Sequence, residues 1–185
     1  LDRISFPLKY TTTSRDHRLV PLNSTKESSI SEILRDSEVG RDYGSILGQS
    51  AKVPIIIDAK GQTISFPPII NAALTTVTTK TKNLLVEVTG IDKQSAEDML
   101  SVVVVILQGA GFQFSQLKVS GSKNSTPNFT SRSFVFDTDP VNKILGLNVS
   151  GSMLVSCLKK CRLGAVMKGK KIQCTIPRYR FDIFG

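Results

Sequence analysis

Tryptophan is absent from the 185 residues, histidine occurs once and cysteine three times. No Ser–His–Asp or Cys–His arrangement of nucleophilic catalysis is evident around the one histidine. His17 lies in a polar stretch, TSRDHR, without an evident partner, and is read as a surface side chain. Three cysteines, an odd number, argue against a disulfide framework and for a reducing compartment. Cys157 and Cys161 stand at helical spacing, but no second ligand pair follows, so they are read as buried structural thiols rather than zinc ligands. No apolar run reaches the roughly 18 residues of a membrane span, which gives no reason to place the chain in a membrane. The first residue is Leu1, not Met, and no signal-peptide pattern follows, so the chain is read as a segment of a longer polypeptide. A Walker loop, a GxGxxG after a strand and an HExxH are also missing.

What the chain has in surplus is positive charge: 24 Lys and Arg against 15 Asp and Glu, a formal net charge of +9. Such a balance favours a polyanionic or acidic partner, although surplus charge also simply keeps a protein soluble. The length allows one or two compact domains with a real core. Ser29-Ile30-Ser31-Glu32 reads as a capping box opening a short helix that ends near Asp36. Residues 39–47 read as a further turn or two, with Gly48 as its C-terminal cap. Residues 53–58 (VPIIID) and 63–66 form a predicted hairpin around Ala59-Lys60-Gly61. Asp92 can cap a helix over 93–108, whose broad apolar face predicts deep burial against a sheet. Residues 121–132 (GSKNSTPNFTSR) are almost free of apolar side chains, and the domain boundary is placed there. Beyond it, 141–147 and 151–162 read as helices and 166–176 as a hairpin, a winged-helix-like set.

The central stretch is 64–92, ISFPPIINAALTTVTTKTKNLLVEVTGID. Pro67 and Pro68 cannot donate backbone hydrogen bonds, so they form a stiff lip rather than a central strand. Residues 75–88 are dense in β-branched side chains and read as strand, with 84–88 the more buried part. Glu87 and Thr89, two apart, then share one strand face. Lys80 and Lys82 are candidate RNA-binding cations or a solvated face.

SFPPIIN followed by TKTKNLLVEVTGID resembles the editing (B3/B4) domain of the archaeal and eukaryotic phenylalanyl-tRNA synthetase β subunit. Upstream FPLKY, HRLVPLN, SEILRDSEVGRDYGSIL and VPIIID continue the resemblance. Downstream, VNKILGLNVSGSMLVSCLKKC and KIQCTIPRYRFDI resemble the adjoining B5 domain. The implied organisation is α+β: a truncated, mixed-sheet editing-domain segment over 1–120, a linker over 121–133, and a small winged-helix-like B5 domain, also truncated, over 134–185.

The resemblance also implies an activity, the hydrolysis of tyrosine wrongly attached to the phenylalanine tRNA. Ser65, Asn71, Glu87 and Thr89 match the family's catalytic positions. Ile56, Pro67 and Pro68 match its substrate-binding wall. Glu87 stands where aspartate is usual and Phe66 where leucine or methionine is, departures that bear on pocket size. Asp182 matches the first acidic position of a magnesium-binding group whose other members would lie past Gly185. One carboxylate is too few for a hard cation. The segment carries no cofactor motif; ATP and Mg2+ are implied for the full enzyme. The implied partners are the phenylalanine tRNA and the α subunit of an α2β2 synthetase, in the cytoplasm.

Each residue also has a plainer reading. Ser65 and Asn71 could only bond the backbone of a Pro-rich turn. Glu87 could pair with Lys80 or Lys82, and Thr89 could cap the next helix. Pro177-Arg178-Tyr179-Arg180 could contact RNA or cap a sheet edge. A non-catalytic RNA-docking and subunit-contact scaffold is the alternative to an editing hydrolase. A convergent polar cluster would favour the enzyme, and a flat basic face the scaffold.

Overall fold

The computed structural model describes residues 3–123 and 125–183. The chain divides into two compact units, Leu1–Thr89 and Gly90–Gly185. The division precedes the polar 121–132 stretch, so the 93–109 helix groups with the second unit rather than the first.

In the first unit, β1 (Lys9–Ser14), β4 (Lys52–Ile57), β5 (Thr63–Phe66) and β6 (Ile70–Asn71) form one antiparallel sheet in the order β1-β4-β5-β6. Val53 and Ile55 are buried on one side of β4, as period-2 alternation requires. Pro54 is tolerated because it lies where only β1 flanks the strand: the ladder to β5 pairs Ile56 and Ile57 alone. The β5 ladder shifts register between Ile56 and Ile57, a bulge that accommodates Ile64.

Between β1 and β4 run β2 (Arg18–Leu19), β3 (Ser28–Ser29), α1 (Ile30–Asp36), α2 (Glu38–Tyr43) and a 3-10 turn, Gly44–Leu47. The predicted capping box is present: Ser29 Oγ accepts from Glu32 N, and Glu32 Oε2 accepts from Ser29 N at 2.7 Å. Gly48 closes the 3-10 turn with φ 55°, a conformation that suits glycine. The core gathers Leu19, Ile30, Ile33, Val53, Ile55, Phe66, Ile69 and Ala72. Each of these apart from Ala72 contributes about 1.5–3 kcal/mol when withdrawn from water, before entropy is counted.

Pro67 and Pro68 form the turn between β5 and β6, joined by a cis peptide, with Ile69 N donating to Phe66 O at 2.8 Å. After β6 comes a short 3-10 turn, Ala73–Thr75. Residues 76–92 then carry no strand, contrary to the β reading of 75–88. β-branched residues fit a pleated surface only where a neighbouring strand supplies one. Here none pairs with them, and Val77 and Leu84 stay exposed.

The second unit begins with α3 (Lys93–Gly109), capped as predicted by Asp92 Oδ1, which accepts from Ser95 N at 2.7 Å. Its burial is shallower than its composition predicts. Only Ser101 and Val104 are buried, while Met99 and Ile106 are exposed. β7 (Leu117–Lys118) pairs with β8 (Ser125–Thr126), so the polar stretch contributes a strand. β9 (Arg132–Asp137), α4 (Thr138–Leu145), α5 (Gly151–Lys160), β10 (Gly164–Lys168) and β11 (Lys171–Ile176) follow. The sheet order β10-β11-β9 adds β9 to the predicted hairpin. Leu163, Cys174 and Ile176 form the core with Phe136, Leu158 and Ile183. Of the three thiols only Cys174 is buried; Cys157 and Cys161 are exposed, because α5 turns Leu158 to the core instead. All ladders among the described residues are antiparallel, and the class is α+β as expected. None of the described helices is long and apolar enough to cross a membrane.

Candidate functional site

Two hairpins in the first unit bring separated residues into one row. Tyr10 is the Cα partner of Ile56, Ile56 of Ser65, and Ser65 of Asn71. Directly opposed residues in an antiparallel ladder project to the same face. The row therefore crosses all four strands, on the face opposite Val53 and Ile55. Ser65 is 4% exposed, Ile56 half-buried, and Asn71 and Tyr10 exposed.

Glu87 reaches this row from the strandless segment. Its Oε2 lies 3.5 Å from Ser65 Oγ, and its Oε1 accepts from Thr89 Oγ1 at 2.6 Å. The Thr89 contact is short and charge-assisted, whereas the Ser65 approach is long for a hydroxyl–carboxylate bond. Ser65 is thus less committed to Glu87 than Thr89 is. Both carboxylate oxygens face site hydroxyls. Neither Lys80 nor Lys82 is the partner that the plainer reading of Glu87 required.

Pro67 and Pro68, expected to wall the substrate, begin two residues beyond Ser65 in the β5–β6 turn, where Pro67 is buried and Pro68 half-buried. Leu22 N donates to Asn71 O at 2.8 Å, which fixes the β6 backbone while the Asn71 side chain faces solvent. Lys80 and Lys82 are exposed in and after a turn in which Thr81 N donates to Thr78 O at 2.9 Å. They do not join the Ser65–Asn71–Glu87–Thr89 cluster through any hydrogen bond seen here.

His17 departs from its surface reading. It is half-buried, with Nε2 2.8 Å from Thr63 Oγ1 on β5. Asp58, just past β4, is 3% exposed and accepts from the backbone N–H groups of Ser5, Lys60 and Gln62. Burial pushes its carboxyl up, but the three N–H bonds outweigh that and hold it below the usual carboxylate range. Sequence reasoning passed over Asp58, although an Asp one residue before Ala-Lys-Gly is a recognisable turn clamp.

In the second unit Asp182 is engaged by Arg180 through both carboxylate oxygens, at 2.8 and 2.9 Å. The guanidinium lowers the Asp182 pKa, and the carboxylate raises that of Arg180. Among the described residues no group of three His, Cys, Asp or Glu gathers to hold a metal. A carboxylate already neutralised by a forked guanidinium does not by itself fit a hard cation. Arg178, in the same PRYR run, is mostly buried and reaches back to α3, with Nη2 3.0 Å from Glu97 and Nε 3.0 Å from Asp98. This side chain thus holds a helix, which is neither of the run's two expected roles, RNA contact or sheet-edge cap.

With this geometry in hand, comparison with known proteins adds identity. Residues 134–185 match the tRNA synthetase B5 domain family. The phenylalanine–tRNA ligase β subunit of Methanocaldococcus jannaschii is 38% identical over 188 aligned positions, which take in all of this chain and 34% of that protein. The corresponding subunit of Archaeoglobus fulgidus is 35% identical over 99% of the chain and 34% of its own length. The chain belongs to the phenylalanine–tRNA ligase β-subunit family. It spans about one third of the length of these relatives. Its fold is similar to the crystal structure of an N-terminal fragment of the Pyrococcus horikoshii phenylalanyl-tRNA synthetase β subunit. That match has a TM-score of 0.89 and 27% identity, and covers all of this chain and 54% of that one.

Proposed function

We propose that the first unit carries a hydrolytic editing site that removes tyrosine from mischarged phenylalanine tRNA, within a phenylalanine–tRNA ligase. The observation that supports this most is the Glu87 carboxylate, set between the Ser65 and Thr89 hydroxyls beside the Ile56–Ser65–Asn71 row.

An aminoacyl ester is already activated, so its hydrolysis needs a placed water and donors for the developing oxyanion rather than a histidine or cysteine. The water oxygen bonds to the carbonyl carbon, the carbon–ribose oxygen bond breaks, and the proton from water ends on the ribose oxygen. Glu87 is an acceptor for the tyrosine phenol, with Ser65 and Thr89 holding the carboxylate. Asn71 and the backbone of the Pro67–Pro68 turn orient the ester and the water. Ile56 supplies apolar wall. Phenylalanine, lacking the hydroxyl, forgoes the phenol–carboxylate bond, which is the discrimination a second pocket supplies.

In the assembled ligase, Glu87→Ala should slow clearance of tyrosyl-tRNA roughly ten- to a hundredfold, the loss of one charge-assisted hydrogen bond and its positioning. Attachment of phenylalanine should be unchanged. Clearance at the parent rate would place the site elsewhere.

By the same reading, the partners are the phenylalanine tRNA and the α subunit, with ATP and Mg2+ serving the amino-acid activation carried out elsewhere in a cytoplasmic α2β2 enzyme. On this reading the family's module boundary lies in 121–133, just before the B5 match, whereas the compact units of the chain divide earlier, at Thr89/Gly90. One observation favours the scaffold alternative for the second unit. It holds 13 Lys and Arg against six Asp and Glu, and four of those acids are ion-paired internally. A basic surface of that kind suits an RNA backbone, with Lys80 and Lys82 as further cations in the first unit.

A further inference from the structure

We propose that Tyr10 is a docking platform for a flat aromatic ring of the bound ester, an inference that rests on the reading of the Ser65–Glu87 cluster as an editing site. Tyr10 is 67% exposed, near the start of the edge strand β1. Single exposed rings are ordinary on a protein surface, so the place of Tyr10 on the sheet matters more than its exposure. The alternation of β1 explains its direction: Thr11 and Thr13 are half-buried over the core face, and Tyr10 and Thr12 point away from it.

Register then gives the position. Tyr10 opposes Ile56, and Ile56 opposes Ser65, so the Tyr10 and Ser65 Cα atoms are separated by two strand spacings, roughly 10 Å. The row is divided chemically. Ser65 and Asn71, with Glu87 and Thr89 beside them, make a polar half. Tyr10 and half-buried Ile56 make an aromatic–aliphatic half of the same face. An aminoacyl-adenosine ester has matching parts: polar groups at the ester and phenol, and two flat rings, the amino-acid ring and the terminal adenine. An aromatic ring laid over Ile56 meets the Tyr10 ring at its edge or face, the arrangements aromatic pairs favour. Tyr10 is here a positioning residue, touching no reacting atom.

The test uses the assembled ligase carrying Tyr10→Phe or Tyr10→Ala, with thermal midpoints as folding controls. Binding is measured by calorimetry for two non-hydrolysable amide-linked probes, tyrosyl-adenosine and alanyl-adenosine. Tyr10→Phe should bind both as the parent does. Tyr10→Ala should bind tyrosyl-adenosine about tenfold more weakly, the scale of a lost stacking partner. Weakening confined to tyrosyl-adenosine assigns the amino-acid ring to Tyr10, and weakening of both probes assigns the adenine. Parent-like binding by a folded Tyr10→Ala protein overturns the inference, as does failure of the parent to bind either probe. Hydrolysis of tyrosyl-tRNA by the parent is scored separately. Tyr10-dependent binding without hydrolysis would sink the editing reading while leaving the platform in place. For hydrolysis-competent protein, Tyr10→Ala should raise KM by a similar factor and leave kcat within about twofold.

Discussion

Arg178 decides where α3 belongs, and its removal is the sharpest structural perturbation available. The guanidinium is 12% exposed and bridges two neighbouring carboxylates, Glu97 at 3.0 Å and Asp98 at 3.0 Å, themselves 30% and 17% exposed. Arg178→Met keeps most of the side-chain volume but leaves two adjacent negative charges, partly desolvated, without their cation. Breaking a buried pair from one side costs about 3–5 kcal/mol, and the partial exposure of Glu97 lowers this to roughly 2–4 kcal/mol. Lys93, 4.0 Å from Glu97 and largely exposed, offers little compensation. Arg178→Lys should recover less than half of the loss, because an ammonium cannot fork to two carboxylates as a guanidinium does. The triple variant Arg178→Met with Glu97→Gln and Asp98→Asn should recover more, since no charge is then stranded. The assay is amide hydrogen exchange along 93–109 in the whole chain, with the thermal midpoint alongside. Exchange in α3 should quicken in Arg178→Met while β1, β4 and β5 keep their protection. Unchanged protection in α3 would refute the argument that this ion cluster ties the helix to the second unit.

Two further substitutions test the first unit. Gly40→Ala should cost about 2–3 kcal/mol as overpacking, because the new Cβ would collide with Ile33 O and sit 2.7 Å from Leu34 Cα, both backbone. Gly109→Ala, where nothing lies within 4 Å, is the matched control and should be neutral or mildly stabilising in thermal melts. Asp58 links the fold to pH. Its folded pKa is lowered, so its contribution is fully present above the unfolded value of about 4 and lost as pH falls through the lower folded one. Asp58→Asn should therefore flatten the acid limb of the melting-temperature profile below about pH 4 and leave a lower midpoint at neutral pH; an acid limb parallel to the parent's would remove Asp58 from the account.

What was legible in the sequence follows the reach of each signal. Ser29 and Asp92 announce helices through bonds to N–H groups three residues on, and both caps form as read. Glu87 and Thr89 meet because extended chain returns to the same side every second residue, a local rule that holds even without a strand. Signals that depend on a partner fared worse. Residues 75–88 have strand composition but no neighbour, whereas KYTTTS, with little apolar content, becomes β1 because β4 lies beside it. RSFVFD became β9 for the same reason, against β11. The periodicity of α3 and α5 identified helices but not their covered faces, so Cys157, Cys161 and most of the α3 valines were assigned too much burial. The 3.5 Å approach of Ser65 to Glu87, across 22 positions, has no local signature and was legible only through family resemblance.

The turns, more than the strands, carry the information that assembles the site. Ile56 meets Ser65 only because the β4–β5 connection closes where it does, and Ser65 meets Asn71 only because the next one closes at Pro67-Pro68. Since side chains alternate faces with a period of two, a one-residue slip at either turn would send Ser65 or Asn71 to the core side and a core residue to the site. Asp58 guards the first turn by accepting from Lys60 N and Gln62 N at 2.9 Å each. Proline fixes φ in the second and removes donors that could support a shifted ladder. The bulge at Ile56/Ile57 absorbs the one register irregularity on the side of Ile56 away from Pro54. The SFPPIIN motif is thus a register device: it places a serine, six residues on an asparagine, and between them a turn that cannot slide.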